Sequence, residues 1–348
     1  MINTELLAEI CEVAGAPGHE QRVRELVLRE VSPLVDEIRI DNMGNVVAIK
    51  KGKEDKKVMI GAHMDEIGFI VTHIDENGFI FFHTLGGFDP KTLTAQRVII
   101  HGSEDVMGVM GSKPIHLMNA ADRAKVPTIK DYFIDTGRCK EDLEKIISIG
   151  DTITRERELI EMGDCINCKS LDNRVSVFIL IEMFREMKKK PTYDVYGVFT
   201  VQEEIGIRGA NVSALDINPD FGFGLDTTIA FDTPGSTKKE QVSALGEGAC
   251  IKVMDSSTVC DYRMVKYMKE LAKKKKLKTQ LEILPAGGTD TAGIQRMNPG
   301  GSITGAVSIP TRHIHQVIEM VHKEDVRGAI GLLRHSVENL HTYDWSFR

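Results

Sequence analysis

Tryptophan is nearly missing from this chain: Trp345 is the single one in 348 residues, and aromatic residues make up only 6% of the sequence. A carbohydrate-processing cleft is therefore disfavoured, since sugar platforms are usually aromatic and glycoside hydrolysis relies on two carboxylic acids without a metal. No stretch approaches the run of about 20 apolar residues that a helix needs to span a bilayer. The six cysteines, at 11, 139, 165, 168, 250 and 260, are too few and too scattered for a disulfide scaffold, and they point to a reducing compartment. Basic residues are in deficit as well. The 44 Lys and Arg against 51 Asp and Glu leave a net charge of -7, the wrong sign for holding a phosphate backbone. The run Lys273-Lys274-Lys275-Lys276 ends a predicted helix, where it complements the dipole and stays solvated. The chain start has neither a basic stretch nor a long apolar one, so no targeting segment is expected. The expected setting is the cytoplasm, with no membrane and no nucleic acid as partner.

What the chain does have is 42% hydrophobic and 27% charged residues, the balance of a soluble globular protein with a substantial core. Its length suggests one large domain or two modest ones. Residues 3–14 and 20–31 read as helices, broken apart by Gly15-Ala16-Pro17-Gly18. Strands are expected over 37–41, 45–50 and 57–61. From residue 67 the character changes to short β-type runs at 69–71, 79–82, 97–101, 106–110 and 132–135, with a hairpin turn at Asn77-Gly78. One helix, 140–148, interrupts them. The α/β pattern then resumes with helices over 175–190, 209–215, 262–275 and 323–340, and strands over 195–201, 221–225, 251–254, 280–284 and 302–309. The expected fold is an α/β, mixed-sheet catalytic domain built discontinuously from 1–66 and 164–348. A small β-rich, barrel-like domain, 67–163, is inserted into it.

Acids and histidines gather where these elements end. Ala62-His63-Met64-Asp65-Glu66 closes a strand with a His and an Asp two apart, an arrangement in which a carboxylate can orient a metal-binding imidazole. Asp172 opens a helix, where an acid is ordinarily just a cap. The strand before Gln202-Glu203-Glu204-Ile205-Gly206 delivers two adjacent carboxylates to a Gly-containing loop; alone, such a pair is most often solvated surface. Asp226 ends another strand, at the edge where open α/β sheets place their sites, and His315 follows a buried one. Each has a bland reading, yet jointly they would require repeated coincidence. Two histidines and three carboxylates, one of them shared, suit a pair of borderline divalent cations such as zinc or cobalt. A fourth carboxylate remains for proton transfer.

Other motifs fare less well. His73, His83, His101 and His116 fall in the insert without a supporting carboxylate pattern and read as structural or surface residues. Cys165-Ile166-Asn167-Cys168 lacks the second pair that a structural zinc site needs, so its thiols read as incidental. Gly287-Gly288-Thr289-Asp290 lets backbone approach a ligand but lacks the Lys of a phosphate-binding loop.

The stretches Ala62-His63-Met64-Asp65-Glu66, Leu171-Asp172-Asn173-Arg174, Val201-Gln202-Glu203-Glu204-Ile205-Gly206, Arg208-Gly209-Ala210, Leu225-Asp226, Gly287-Gly288-Thr289-Asp290 and Ile309-Pro310-Thr311-Arg312 before His315 run in the order found in one family. The chain resembles the tetrahedral (TET) aminopeptidases, zinc-exopeptidase-like co-catalytic metallopeptidases also labelled glutamyl aminopeptidase or cellulase M. The resemblance implies that His63, Asp172 and Asp226 hold one metal and that Asp172, Glu204 and His315 hold the other, with Asp172 as the bridge. It implies Glu203 as general base, Asp65 as the residue orienting His63, and peptides as substrates. It further implies that the insert pairs subunits and that twelve subunits form a hollow tetrahedron. One departure stands out. The family has Tyr before Ile-His and Ser-Pro after it, whereas this chain has His313 before and Gln316-Val317 after. His315 keeps the family's distance from Pro310, which makes His313 the decoy.

The same dinuclear scaffold also supports deacylases and carboxypeptidases. Those would present an arginine to the substrate carboxylate, for which Arg174, Arg208 and Arg312 are the candidates. The stretch 229–248, with Lys238 and Lys239, is either a solvated loop or the lining of a pocket for an acidic first residue.

Overall fold

Val46-Val47-Ala48-Ile49 has no polar face, and in the computed structural model, which describes residues 2–347, it lies in a sheet covered on both sides. Val46 and Ala48 pack into a large core, Val47 and Ile49 into a smaller one, as the two-residue period of a strand requires.

The chain opens with helices α1 (Thr4–Glu12) and α2 (Gln21–Val31) and strands β1 (Glu37–Ile40), β2 (Val46–Lys50) and β3 (Glu54–His63). It then leaves the sheet for β4 (Gly68–Ile74), β5 (Ile80–Leu85), β6 (Arg97–His101), β7 (Asp105–Ser112), β8 (Tyr132–Asp135) and β9 (Thr152–Arg155). These close into a barrel in the order β4-β5-β8-β7-β6-β9 around a core of its own that includes Phe69, Ile80, Val98, Ile134 and Ile153. Short helices α3 (Ala120–Ala124) and α4 (Lys140–Leu143) sit in its connections. The chain returns through β10 (Ile160–Met162) and β11 (Cys165–Cys168) to α5 (Leu171–Glu186), β12 (Tyr193–Thr200), α6 (Arg208–Ile217) and β13 (Phe221–Ile229). It ends with β14 (Ala249–Met254), α7 (Tyr262–Lys275), β15 (Thr279–Ile283), α8 (Asp290–Arg296), β16 (Ile303–Arg312), β17 (Glu319–His322) and α9 (Lys323–Asn339).

Among the described residues the main sheet has 11 strands. Its centre is the run β12-β3-β13-β16, in which every neighbour is parallel, so these strands share one carboxyl edge. Antiparallel strands flank the run, β2 and β1 on one side and β17, β11 and β10 on the other. Helices α1, α2, α5, α7 and α9 pack into the larger core, while α6 and α8 cover the other face. Helix α5 is apolar nearly all round, with Val175, Val177, Phe178, Ile179, Leu180 and Ile181 all fully buried, because it is enclosed between the sheet and other helices. The pairing of β13 with β3 stops at Gly224 opposite Gly61. Beyond that point the two strands part, and the opening between them receives His63 and Asp226.

Several elements depart from the sequence reading. The helix expected over 140–148 is α-helical only over Lys140–Leu143, after which the chain turns back through Gly150, whose φ is +99°. The strand expected to stop before Asp226 runs on to Ile229, because β16 continues to pair with it. The C-x-x-C segment is strand β11, held between β10 and β17, and its cysteines are free. Strands β9, β10, β11 and β17, of 4, 3, 4 and 4 residues, are too short for alternation to reveal. Among the described residues no helix is long and apolar enough to cross a membrane.

Candidate active site

Strand β3 carries His63 into the interior, where the ring is only 1% exposed. Its Nε2 faces three carboxylates: Asp172 Oδ1 at 3.5 Å, Asp226 Oδ1 at 3.8 Å and Glu203 Oε2 at 3.9 Å. On the other side of Asp172, His315 Nε2 lies 3.4 Å from Asp172 Oδ2 and 3.2 Å from Glu204 Oε2. Asp172 thus presents one oxygen to each imidazole. Ligand atoms of His63, Asp172 and Glu204 all lie within 4.8 Å of one another. His313 lines the same cavity, but it is the ring of His315 that meets the acids.

The turn that presents Glu203 and Glu204 is fixed through its backbone. Asn45 Oδ1 accepts from Val201 N at 2.9 Å and Glu20 Oε1 from Gln202 N at 3.2 Å. The two oxygens of Asp65 accept from Glu203 N at 3.0 Å and Glu204 N at 3.1 Å. Four successive N–H groups are therefore held, which steadies Gln202 at a left-handed φ of +55°. Gly209 completes the arrangement: a Cβ there would sit 2.3 Å from Asn45 Oδ1 and 2.5 Å from the Val201 carbonyl. Asp65 reaches His63 mainly through its backbone, its carbonyl oxygen lying 3.0 Å from His63 Nδ1 while its carboxylate is 3.5 Å away.

Asp172 and His315 are held by a residue that the sequence reading passed over. Glu319, on β17, accepts from Asp172 N at 2.7 Å and from His315 N at 3.2 Å. Arg155, from the barrel strand β9, donates to the carbonyl of Gln316. Barrel and site are thus joined at the unusual segment around His315, where His313 and His315 both have positive φ, +63° and +59°. Glu66, beside Asp65, is fully buried among Lys169 at 2.6 Å, Arg174 at 3.7 Å and Arg155 at 3.8 Å. Glu20, Glu66 and Glu319 share no sequence signal: Glu20 lies between His19 and Gln21, Glu66 adjoins Asp65, and only Glu319 stands alone between apolar neighbours, Ile318 and Met320. His101, expected to stand without a carboxylate, pairs with Asp105 at 2.8 Å on the barrel's surface, where Arg22 of α2 also binds that carboxylate at 2.6 Å.

Electrostatics set this centre apart. Burial raises the Glu203 carboxyl well above its ordinary range; His63 opposes the shift, and Asp226 and Glu204 add to it. Glu204 and Asp226 are also pushed up, chiefly by burial. Burial disfavours the charged form of Asp172 too, yet His315 and His63 hold its carboxyl far below the usual range. Burial should lower both imidazoles. Instead Asp172, Asp226 and Asp65 raise His63, while Glu204 and Asp172 raise His315 to about 11. The excess of buried negative charge draws protons onto both rings. Divalent cations relieve the same field, and the oxygen and nitrogen donors match borderline metals. Glu204 Oε1 is buried without any hydrogen-bond partner, as a coordinating oxygen would be.

A mixed sheet that converges imidazoles and buried carboxylates on the carboxyl edge of its parallel strands defines an α/β protein with the donor set of a divalent-metal site. Residues 44–332 match the family model of the M42 glutamyl aminopeptidases, and the chain belongs to that family. A putative aminopeptidase of Acetivibrio thermocellus is 37% identical over 330 residues, which cover 94% of this chain and 96% of that protein. The structure of aminopeptidase APDkam598 from the archaeon Desulfurococcus kamchatkensis, also 37% identical, superposes with a TM-score of 0.92 and covers 96% of this chain and 94% of that one. The Pyrococcus horikoshii TET1 peptidase, which can assemble into a tetrahedron or a large octahedral shell, is 28% identical. Its TM-score is 0.86, covering 96% of this chain and 98% of that one.

Proposed function

We propose that this M42 aminopeptidase removes N-terminal residues from peptides with two divalent ions per subunit, zinc or cobalt, and with Glu203 as general base. His63, Asp172 and Asp226 would hold one ion and Asp172, Glu204 and His315 the other. Such ions supply Lewis acidity to the water and the carbonyl that react. The observation that carries the reading is the split of Asp172 between two imidazoles, with Glu203 beside His63 at 3.9 Å rather than opposite His315.

Glu203 takes the proton of the attacking water and returns it to the leaving amine, a role typically worth about 100- to 10,000-fold in rate. Its raised affinity for a proton suits a group that must accept one near neutral pH. Asp65 holds the Glu203 and Glu204 backbone and, through its carbonyl, the His63 ring. The substrate's free α-amine meets this acid-rich centre, which confines cleavage to the first residue.

A carboxypeptidase or deacylase would need a free arginine for the substrate carboxylate. Arg174 is fully buried and donates to the carbonyls of Met64, Ile10 and Val13, while Arg312 is bound bidentately to Asp232 at 2.6 and 2.7 Å. Arg208 donates to Gln202 Oε1 at 3.4 Å.

Domain roles follow the same reading. Residues 1–66 and 164–348 form the catalytic unit, and the insert 67–163 pairs subunits. The insert exposes Ile115, Leu117 and Val126 at 61%, 71% and 60%, large apolar groups that a partner would cover. Assembly to a homododecamer is proposed from likeness to the TET1 peptidase. Six free thiols support a cytoplasmic setting.

The test is hydrolysis of aminoacyl p-nitroanilides with and without an N-acetyl block, after chelation and after zinc or cobalt is restored. Cleavage that needs both the metal and the free amine is expected. Release of acetate from the blocked substrates, with the anilide left intact, would move the assignment to a deacylase.

A further inference from the structure

The cavity that holds the acids has a volume of about 830 Å³ and extends well past the reacting groups. Beyond Asp226 its wall includes Ile229, Phe231, Leu284 and Ala286. Ile229 and Phe231 are 41% and 39% exposed, large apolar groups open to this space. On the aminopeptidase reading proposed above, the side chain of the first residue must enter the part of the cavity next to the acids that receive its amine.

The charged residues of this part of the wall are all engaged. Lys252 is 1% exposed, with Nζ 2.9 Å from Asp255 Oδ2 and 3.2 Å from Glu282 Oε1. Two carboxylates therefore already surround its single ammonium, and a third would meet repulsion. Asp255 in turn accepts from Lys252, from Ser257 N at 2.9 Å, from Thr258 N at 2.8 Å and from Thr289 Oγ1 at 3.3 Å. Both of its oxygens are thus engaged and its charge is paired with Lys252, so it has little to offer an incoming cation. Arg312 is closed by its bidentate bond to Asp232. Lys238 and Lys239, the sequence's candidates for receiving an acidic residue, are exposed and do not line the cavity. An ionised side chain placed here would lose water without gaining a partner, which is strongly unfavourable.

We infer that this cavity selects an uncharged apolar first residue, leucine, methionine or phenylalanine, over the glutamyl residue of the family's description and over lysine, with Ile229 and Phe231 as specificity-determining residues. The discrimination is built from packing and from the lack of a free counter-charge, so it falls on the ratio of kcat/KM between substrates.

The experiment compares kcat/KM of the metal-loaded enzyme for leucine, methionine, phenylalanine, glutamate and lysine p-nitroanilides. The apolar three should exceed glutamate and lysine by at least about tenfold. Phe231→Lys, which sets a free ammonium in the wall, should shift the glutamate to leucine ratio by at least about tenfold toward glutamate. In parallel, calorimetry on metal-loaded Glu203→Gln protein measures binding of free L-leucine, L-glutamate and L-lysine, which requires no turnover. Leucine should bind most tightly. Preferred turnover of glutamate or lysine, or equal binding of the three amino acids, would overturn the inference. Leucine-selective binding without cleavage of any p-nitroanilide would uphold the cavity's assignment while removing the aminopeptidase reading beneath it.

Discussion

Glu319 grips Asp172 by its backbone N–H at 2.7 Å and reaches His315 N with its other oxygen at 3.2 Å. One buried side chain therefore sets the position of the shared carboxylate and of an imidazole that arrives from a different part of the chain. Strand β17 can do this because it is locked on both sides, to Thr311 and Arg312 of β16 and to the whole of β11. Glu319→Gln keeps the shape but has a single acceptor oxygen, so one of the two N–H groups is left facing an amide donor. Metal affinity is expected to fall about 10- to 100-fold, the usual range for losing a group that orients ligands. Chelator competition followed by metal analysis measures it; affinity equal to the parent's would remove Glu319 from the positioning machinery.

Glu203→Gln separates the proton shuttle from the metal centre. The amide is nearly isosteric and cannot accept the water's proton. Turnover should fall by about 100- to 10,000-fold, with metal content and oligomer size unchanged. Full activity in this variant would end the general-base assignment.

The choice between two histidines is open to a direct count. His315→Ala removes the ring that faces Asp172 and Glu204 at 3.4 and 3.2 Å, so bound metal per subunit should drop by one ion. His313→Ala should leave the count intact and act, if at all, on KM, since that ring lines the cavity. Elemental analysis of dialysed protein distinguishes the two; metal loss from His313→Ala alone would reverse the assignment.

Much of this was legible before any coordinates. His63, Asp172, Glu203, Glu204 and His315 stand at or just past strand ends or at a helix start, Asp226 stands where the apolar run of β13 stops although the strand continues, and the carboxyl edge of β12-β3-β13-β16 brings their side chains together. Local signals sufficed because each residue's position follows from where an apolar run stops. Glu319, Glu20 and Asn45 were not legible, since their importance lies in long-range bonds to the backbone: Glu319 to Asp172 and Glu20 to Gln202 span 147 and 182 positions. No periodicity encodes such a contact. The same holds for Lys252, which reads as a polar interruption of a strand and becomes intelligible only beside Asp255 and Glu282. The insert is legible as barrel-like from its short β runs, but the strand that closes it is not, for a related reason. Strand β9 has 4 residues and completes the ring by pairing with β4 and β6, strands about 80 and 50 positions before it.

Away from the site, helix α9 carries a group that ties stability to acidity. Burial lowers the His335 imidazole to about 4, and the neighbouring cations Arg334 and Lys275 add to the effect. The geometry agrees, because Arg334 Nη2 lies 3.3 Å from His335 Nε2 and a guanidinium can donate only to an unprotonated ring nitrogen. Glu338, at 3.8 Å from Nδ1, opposes the shift from a greater distance. The folded state therefore binds this proton less readily than the unfolded chain, whose histidine titrates near about 6.5. The stability it contributes is fully present above about pH 6.5 and is lost as the pH falls toward 4, with up to about one proton taken up on unfolding in that window. His335→Gln should flatten this part of the profile. Denaturant midpoints of parent and variant at pH 7.5, 5.5 and 4.5 provide the measurement, and other titrating groups cancel in the difference between the two proteins. Parallel profiles would show that His335 is not depressed in the folded chain, and a parent that gains stability over the variant as the pH falls would show that Glu338 rather than Arg334 governs its charge.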